Sequence, residues 1–304
     1  MNLLIPNLGT TSLKYQILEM PSETVLAKGR MERVTNYREA IAQISTGATR
    51  IDAVALKAVH GGPRYRGTFV VDEAVIAALR QFLPAAPAHN AIYLTAIEAF
   101  QHAMAGVPIV AAFEPEFHAT MPEYARRYGV PQTWWEDGVE KYGFHGASHR
   151  YIAERVAAML GRQVKLVSCH LGGSSSMCAI VGGRSVDTTM GFSPQSGLEN
   201  ATRHGDLDVF VYEVKKTIGA YAAAMGGLEA VAFTGGIGEN SARLREQCCA
   251  GLEFLGIELD AAKNAGDGDR VVSTDGARVT VLALGTNEEL IVARRAYRCL
   301  SGAS

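Results

Sequence analysis

Short apolar runs alternate along this chain with longer segments in which apolar residues recur at helical spacing. An apolar run at residues 3–5, a polar turn and an alternating run at residues 13–18 predict a β-hairpin. Further strands are predicted at residues 53–59, 109–113, 164–167, 230–233 and 279–284. Helices are predicted at residues 72–83, 91–104, 149–160, 209–224, 240–254 and 287–300. This alternation of strands and helices indicates an α/β fold.

One sequence pattern occurs twice. A glycine and three hydroxyl residues follow an apolar strand at residues 9–12, and a similar turn stands at residues 173–176. Two such hairpins, about half a chain apart, suggest two domains built on one plan, although Gly and Ser are also common turn residues in any fold. We place the boundary after residue 148, with an N-terminal domain at 1–148 and a C-terminal domain at 149–286.

Charge and composition exclude several classes of protein. With 29 basic and 31 acidic residues the net charge is -2, so the chain lacks the basic surface expected of a protein that binds nucleic acid. No apolar run reaches the roughly 18 residues needed to cross a membrane, and no basic stretch precedes the apolar N-terminus as in a signal peptide. The five cysteines lack CxxC spacing, which favours reduced thiols in the cytoplasm over disulfides or a zinc site.

Three turns that contain glycine could bind an anion, at residues 7–14, 170–176 and 234–240. Glycine lets the backbone approach a phosphate, and hydroxyl and N–H groups can donate to its oxygens. The spacings of a Walker A loop and of a Rossmann turn are both absent. Taken one at a time, each turn is equally consistent with an ordinary connection between elements.

Polar residues beside these turns are candidates for chemistry. Arg203 stands in a polar turn, where a guanidinium could bind carboxylate or phosphate, or could simply be exposed. Glu288 and Glu289 open the last helix, where they complement its dipole or supply a magnesium ligand. Histidines recur in segments rich in Gly and Pro, which favours a polar site over isolated structural roles. These histidines are His60, His89, His118, His145 and His170.

Considered in order, the motifs resemble those of the acetate and propionate kinase family, within the sugar kinase, hsp70 and actin superfamily. The resemblance covers nearly the whole chain, and the ordered set is far more specific than any one motif. The matching segments are 7–14 (NLGTTSLK), 59–62 (VHGG), 86–90 (APAHN), 117–122 (FHATMP), 142–149 (YGFHGASH), 169–172 (CHLG), 185–194 (SVDTTMGFSP), 233–241 (FTGGIGENS) and 286–290 (TNEEL).

The resemblance implies two actin-like (ribonuclease H-like) α/β domains with an interdomain cleft, and a C-terminal helix at 287–304 that returns to the first domain. It also implies phosphoryl transfer between ATP and a short carboxylate, with Mg²⁺ as cofactor and an acyl phosphate as product. The carboxylate is itself the nucleophile, so no strong general base is needed. We expect a cytoplasmic homodimer that acts on small molecules and binds neither nucleic acid nor a membrane.

Roles for individual residues are carried over from the same resemblance. The catalytic set is His145, Arg203, Glu114 and His89, and the substrate-binding set is Lys57, His89 and Arg203. Nucleotide or phosphate contacts are assigned to Lys14, His170, Gly172, Gly173, Ser174, Gly236, Ile237, Gly238 and Asn240. The Mg²⁺ ligands are assigned to Asn7 and Glu288.

The sequence departs from the family pattern in four places. Lys57 replaces an arginine, Glu114 replaces the catalytic aspartate, and Gly173 replaces an asparagine that contacts phosphate. The fourth departure follows Asp208, where the family has a long segment whose Asp-x-Arg stretch contacts adenine. The helix at 209–224 follows Asp208 almost directly here.

Three activities remain open on this sequence. The first is a carboxylate kinase that uses ATP, and the second is a variant that uses pyrophosphate. The third is a catalytically weak relative that binds phosphate or another small molecule. Ala58 is smaller than the valine usual in the family, which predicts tolerance of propionate or a slightly larger acid.

Overall fold

The computed structural model describes residues 1–9, 12–44, 46–47, 49–198 and 207–302. Its strands are β1 (Asn2–Leu8), β2 (Ser12–Glu19), β3 (Thr24–Glu32), β4 (Ala53–Ala58), β5 (Thr68–Val70), β6 (Ile109–Phe113), β7 (Leu166–His170), β8 (Ser176–Val181), β9 (Arg184–Thr188), β10 (Ala230–Thr234), β11 (Arg270–Val271) and β12 (Thr280–Ala283). Its helices are α1 (Tyr37–Ala42), α2 (Glu73–Gln81), α3 (Pro87–Ala103), α4 (Glu123–Arg126), α5 (Gln132–Glu136), α6 (Gly146–Leu160), α7 (Leu207–Ala224), α8 (Gly235–Asn240), α9 (Ala242–Cys249), α10 (Ala261–Ala265) and α11 (Glu288–Ser301). Short 3-10 turns lie at Glu114–Thr120 and Glu253–Leu255.

The chain divides into two compact units. Unit 1 consists of Met1–Glu116 with Glu288–Ser304, and unit 2 of Phe117–Asn287. The strand order is β3-β2-β1-β4-β6-β5 in the sheet of unit 1 and β9-β8-β7-β10-β12-β11 in the sheet of unit 2. Each sheet has three antiparallel strands, two parallel additions and an antiparallel edge strand. The repeated hairpin in the sequence therefore marks a repeated sheet plan.

In unit 1, apolar residues of the central strands pack against the closing helix. The buried cluster joins β1, β4 and β6 to one face of α11, which contributes Val292, Ala293 and Ala296. Because α11 presents these residues at spacings of one, three and four, they form a single apolar stripe. This packing brings Glu288, at the start of α11, into unit 1.

In unit 2, helices cover both faces of the sheet. One face packs α7 and α9 against Val167, Val231 and Phe233, and the other packs α6 against the alternate strand positions. Both faces of β7 and β10 are therefore buried, which explains why these strands appear in the sequence as continuous apolar runs rather than alternating ones.

The division between the units lies 32 residues before the boundary predicted at residue 148. Residues 117–148 pack on the sheet of unit 2. The ring of His118 contacts Ser185 Oγ and the carbonyl of Phe144 at 2.9 Å, and Tyr142 N donates to Gly191 O at 3.0 Å. These contacts join residues far apart in sequence, so periodicity along the chain gave no sign of them.

Strand β3 and the helix predicted at 240–254 are among the elements that differ from the sequence prediction. Strand β3 was not predicted, because as an edge strand it is exposed along most of its length and lacks an apolar face. The helix predicted at 240–254 is shorter in the structure, where α9 ends at Cys249, and a separate short helix, α8, lies in the predicted turn before it. In the described residues, the helices are all too short or too polar to cross a bilayer.

Candidate active site

Lys57 connects two acidic side chains in unit 1. It extends from β4, forms an ion pair with Glu288, and has its Nζ 3.6 Å from Oε1 of Glu114. The Glu114 side chain is buried, with 3% of its surface exposed. Burial alone would lower the pKa of Lys57, but the carboxylates of Glu288 and Glu114 outweigh it and hold the pKa well above its ordinary value. Lys57 is therefore a fixed positive charge between two carboxylates.

Two side chains of α3 complete this cluster, which we call the Lys57 cluster (Lys57, Tyr93, Glu114 and Glu288, with His89 beside it). Burial raises the pKa of Tyr93 to about 12, with the neighbouring charges as smaller influences. Burial and the charge of Lys57 lower the pKa of His89, so its imidazole is neutral at pH 7. Nδ1 of His89 is buried and has no hydrogen-bond partner among the described residues. The sequence prediction missed Tyr93, although its position four residues after His89 puts both on one helix face.

The predicted magnesium ligands lie at the same end of unit 1. Asn7 is on β1 and donates from Nδ2 to Oε1 of Glu289 at 2.7 Å. Glu288 instead accepts a hydrogen bond from Nζ of Lys57. Lys14 pairs with Asn7 across the hairpin and is exposed, in a groove that Lys28 and Glu289 also line. The structure therefore gives the two adjacent glutamates different partners, a distinction that the sequence could not make.

His145 and His170 form the centre of the predicted site in unit 2. Their rings stack with centroids 4.2 Å apart. His145 is the N-cap of α6 in the left-handed region, at φ 56°, which is uncommon for a residue other than glycine. His170 ends β7, and its Nδ1 lies 2.8 Å from the hydroxyl of Ser148. A residue held in this conformation beside a second imidazole is typical of functional sites.

Buried hydroxyl groups support His145 from behind. Ser176 Oγ lies 2.8 Å from Nδ1 of His145 and 2.9 Å from Nε2 of His149, and Nδ1 of His149 lies 2.9 Å from Ser168 Oγ. Ser168, Ser176 and His149 are completely buried. The sequence did not indicate that these three residues belong to the site. The two serines lie on different strands and reach the ring of His149 only when the sheet forms.

The two glycine-rich turns of unit 2 pack against each other. The carbonyl of Leu171 accepts from the N–H groups of Ile237 and Gly238 at 2.9 and 3.1 Å. The side chain of Asn240 donates to the carbonyl of Gly236 at 2.9 Å. These internal bonds already engage the Ile237 and Gly238 amides and the Asn240 side chain, which were predicted to contact phosphate.

The other turn positions differ in their surroundings. The Gly172 amide donates to Ser175 Oγ at 3.1 Å, whereas Ser174 and Gly173 are more exposed. Apart from its chain neighbours, no atom of the described residues lies within 4 Å of the position that a Cβ on Gly173 would take, so these residues leave room for an asparagine.

Two buried arginines that the sequence analysis missed hold these segments in place. Arg245 donates to the carbonyls of Gly238 and Glu239 at 2.8 and 2.7 Å, directly behind the second turn. Arg295 donates to the carbonyl of Phe113 at 2.8 Å, next to Glu114. Lone arginines in amphipathic helices gave no sequence signal, since exposure is the usual state of the residue.

Arg203, predicted to be catalytic and to bind substrate, lies outside the described residues. Thr10 and Thr11 of the first turn also lie outside them. The remaining predicted residues fall into the Lys57 cluster with Asn7 and Lys14 in unit 1, and the histidine pair with the two turns in unit 2.

A match to a protein-family model identifies the family of this chain. The model of the Acetokinase family matches residues 39–210 and 207–294. This chain is a member of that family. Acetate kinase from Heliobacterium modesticaldum is 36% identical over 397 aligned positions, which include 99% of this chain and 100% of that relative.

Solved structures of the family agree with the fold. Acetate kinase from Porphyromonas gingivalis matches with a TM-score of 0.86 and 29% identity, over 98% of this chain and 99% of that one. A propionate kinase from Francisella tularensis matches in fold, with a TM-score of 0.86 at 24% identity over 97% and 98% of the two chains. The predicted two-domain, actin-like α/β fold is confirmed.

The chain is shorter than the acetate kinase from Heliobacterium modesticaldum that it matches. An alignment of 397 positions with a chain of 304 residues leaves at least 93 positions that this chain does not fill. The two stretches that match the family model meet at residues 207–210. This agrees with the prediction that a long family segment is missing after Asp208.

Proposed function

We propose that this chain transfers the terminal phosphoryl group of ATP to the carboxylate of a short acid, acetate or propionate, and forms an acyl phosphate. Membership of the Acetokinase family carries the proposal, because the match extends over most of the chain. Family members are phosphotransferases that act on a carboxylate. The polar residues that match the family motifs support catalysis over binding alone; they are His89, His145, His170, Arg203 and Glu288.

The chemistry requires positioning and charge neutralisation. A carboxylate oxygen attacks the terminal phosphorus, a new O–P bond forms, and the bond from that phosphorus to the bridging oxygen breaks as ADP leaves. Negative charge is spread over the transferred phosphoryl oxygens in the transition state. Donors that are already in place stabilise this charge without reorganisation.

We assign the donors as follows. Lys57 keeps its charge at neutral pH and attracts the substrate carboxylate or the phosphoryl oxygens. His145 and His170 donate from their rings to the transferred group, together with Arg203 from outside the described residues. His89, neutral and with Nδ1 unpaired among the described residues, hydrogen-bonds the acid.

The residues of unit 1 are compatible with Mg²⁺. Magnesium usually binds one or two carboxylates together with substrate phosphates. The described residues contain no group of three or more His, Cys, Asp or Glu arranged for a metal. Glu288, with Asn7 and Glu289 beside it, would hold the ion in part, and the donor phosphates would supply the remaining ligands. When bound, the ion neutralises phosphate charge.

We further propose that the enzyme is a cytoplasmic homodimer. Large apolar side chains are exposed on unit 2, among them Tyr124, Trp134 and Phe254, which supports association with a second copy. Light scattering at two protein concentrations tests the dimer. A single species with the mass of one chain at both concentrations would contradict it.

Acyl phosphate trapped as its hydroxamate tests the activity. We expect product with acetate and propionate, and less with butyrate. We expect His145→Ala and Arg203→Ala each to lower kcat by about 100-fold or more. His102→Ala, an exposed histidine on α3, is the matched control and should have unchanged activity. If no acid gives product above background with any phosphate donor, the chain is a binding protein and the proposal is wrong.

A further inference from the structure

A chain of hydrogen bonds runs through the buried part of unit 2 and ends at His145. It connects Ser168 Oγ to Nδ1 of His149, Nε2 of His149 to Ser176 Oγ, and Ser176 Oγ to Nδ1 of His145. The three distances lie between 2.8 and 2.9 Å. Each is a normal hydrogen-bond length for these groups.

The protons in this chain can be counted. A serine hydroxyl donates one hydrogen bond, and a neutral imidazole carries one N–H. His149 is neutral, because burial and the nearby His118 and His170 lower its pKa well below the ordinary value. With one proton on each group, the bonds all point the same way, either from Ser168 towards His145 or in the reverse direction.

Ser168 decides between the two directions. In the reverse direction His149 would donate to Ser168 Oγ, and the Ser168 proton would need another acceptor. Within the described part of the chain, Ser168 Oγ has no hydrogen-bond partner except His149, and Ser168 is completely buried. A buried hydroxyl proton without an acceptor is unfavourable. The bonds therefore point from Ser168 to His145.

We propose that Ser168, His149 and Ser176 are positioning residues that fix the tautomer of His145, with Nδ1 as an acceptor and the ring proton on Nε2. This inference rests on the proposed function only for the role of His145 towards the phosphoryl group. An Nε2–H donates to phosphoryl oxygens, whereas the other tautomer would present a lone pair to them. The fixed tautomer makes His145 a donor before substrate arrives.

Two-bond ¹H–¹⁵N spectra of the ¹⁵N-histidine-labelled full chain test the tautomer without reference to activity. The His145 signals are identified by their loss in His145→Gln. We expect the pattern of an Nε2–H imidazole in the wild type and a larger share of the Nδ1–H tautomer in Ser176→Ala. Ser168→Ala should change the His145 signals in the same direction, although Ser168 does not contact that ring.

Ser185→Ala is the matched control. Ser185 is also completely buried, and its hydroxyl lies 2.9 Å from Nδ1 of a different histidine, His118. This variant should leave the His145 signals unchanged. Unchanged signals in both Ser176→Ala and Ser168→Ala, or an equal change in Ser185→Ala, would overturn the proposal. Thermal melting of each variant identifies any loss of folding.

Kinetics provide the second measurement. We expect Ser176→Ala to lower kcat by about 10- to 100-fold with little change in KM, as for residues that orient a histidine ligand from behind. Ser168→Ala should cause a smaller decrease in kcat. If the wild type makes no acyl phosphate, the proposed function fails while the spectra still test the tautomer. If the wild type is active and Ser176→Ala matches it in kcat, the positioning role is wrong.

Discussion

Lys57 and Glu114, two of the residues that depart from the family pattern, are in contact. Lys57 replaces an arginine and Glu114 replaces an aspartate. The cationic side chain is therefore shorter, and the carboxylate side chain is longer by one methylene. Nζ of Lys57 lies 3.6 Å from Oε1 of Glu114. A cation and a carboxylate therefore still face each other at these two positions, although both side chains differ from the family pattern.

Removing the charge of Lys57 should destabilise the protein. Lys57→Met removes the cation that lies between the carboxylates of Glu114 and Glu288. Removing one partner of a buried ion pair lowers the free energy of unfolding by about 3–5 kcal/mol. Because Lys57 is partly exposed, we expect a loss near the lower value. Urea unfolding at pH 7 measures this loss.

The control for this substitution is Lys263→Met, which removes an ion pair with Asp275 on the surface. Solvent screens that pair, so we expect no measurable change in stability. Equal effects of the two substitutions would show that the Lys57 cluster has no special role in stability.

The buried His118 should make stability depend on pH. Burial lowers the pKa of His118 to about 4 from an ordinary value of 6.5. The unfolded chain therefore binds the extra proton first as the pH falls. The contribution of a neutral His118 is fully present above pH 6.5 and is lost as the pH falls from 6.5 towards 4. Its size is on the order of 3 kcal/mol.

His118→Gln removes this titration and keeps a side chain that can hydrogen-bond. We expect a smaller decrease in unfolding free energy between pH 6.5 and pH 4.5 than in the wild type, measured by chemical denaturation. His102→Gln, at an exposed position, should keep the wild-type slope. A slope that is the same in all three proteins would count against this assignment.

At the scale of elements, the turn between β10 and α8 depends on Gly235. Its φ is +77°, and a Cβ there would lie 2.7 Å from the carbonyl oxygen of Leu171. Gly235→Ala should therefore cost about 1–3 kcal/mol and weaken binding of the phosphate donor, because the turn must move away from Leu171. Thermal unfolding and donor titration measure the two effects.

Gly236→Ala is the stability control, one residue along the same helix. Beyond its own helix backbone, a Cβ at Gly236 meets no atom within 4 Å in the part of the chain that the structure describes, and alanine favours a helix over glycine. We expect its melting temperature to equal or slightly exceed that of the wild type. A lower melting temperature for Gly236→Ala than for Gly235→Ala would contradict the account of this turn.

At the scale of the whole molecule, the segment missing near residues 207–210 should affect the phosphate donor. The family resemblance assigns the adenine contact to that segment, whereas the turns predicted to contact phosphate remain. Each lost buried contact is worth roughly 1–3 kcal/mol, so nucleotide binding should weaken by about 10- to 1,000-fold, with poor discrimination among bases.

Calorimetric titration with ATP, GTP and pyrophosphate, each with Mg²⁺, measures this effect. We expect similar and weak binding of ATP and GTP, with ATP first among the donors by family membership and pyrophosphate as the rival. Micromolar ATP binding with strong rejection of GTP would show that another part of this chain contacts the base.

The sequence by itself determined the fold class, the paired hairpins and the family, and it supplied the candidate site residues as predictions. Each of these follows from the order of residues that are close together in the sequence. An apolar run marks β1, alternation of apolar residues marks β2, helical spacing marks α11, and the family motifs occur in fixed succession. Patterns of this kind depend on neighbours a few residues away, which a sequence shows directly.

The tertiary structure decided which of these residues meet. In the folded chain Glu288 pairs with Lys57, and Glu289 accepts a hydrogen bond from Asn7. Residues 117–148 belong to the unit of the second sheet, and Ser168 and Ser176 lie on the two sides of His149. These pairs lie far apart along the chain, and a hydrogen bond requires its two atoms to be about 3 Å apart. Only strand register and helix packing bring such residues to that distance.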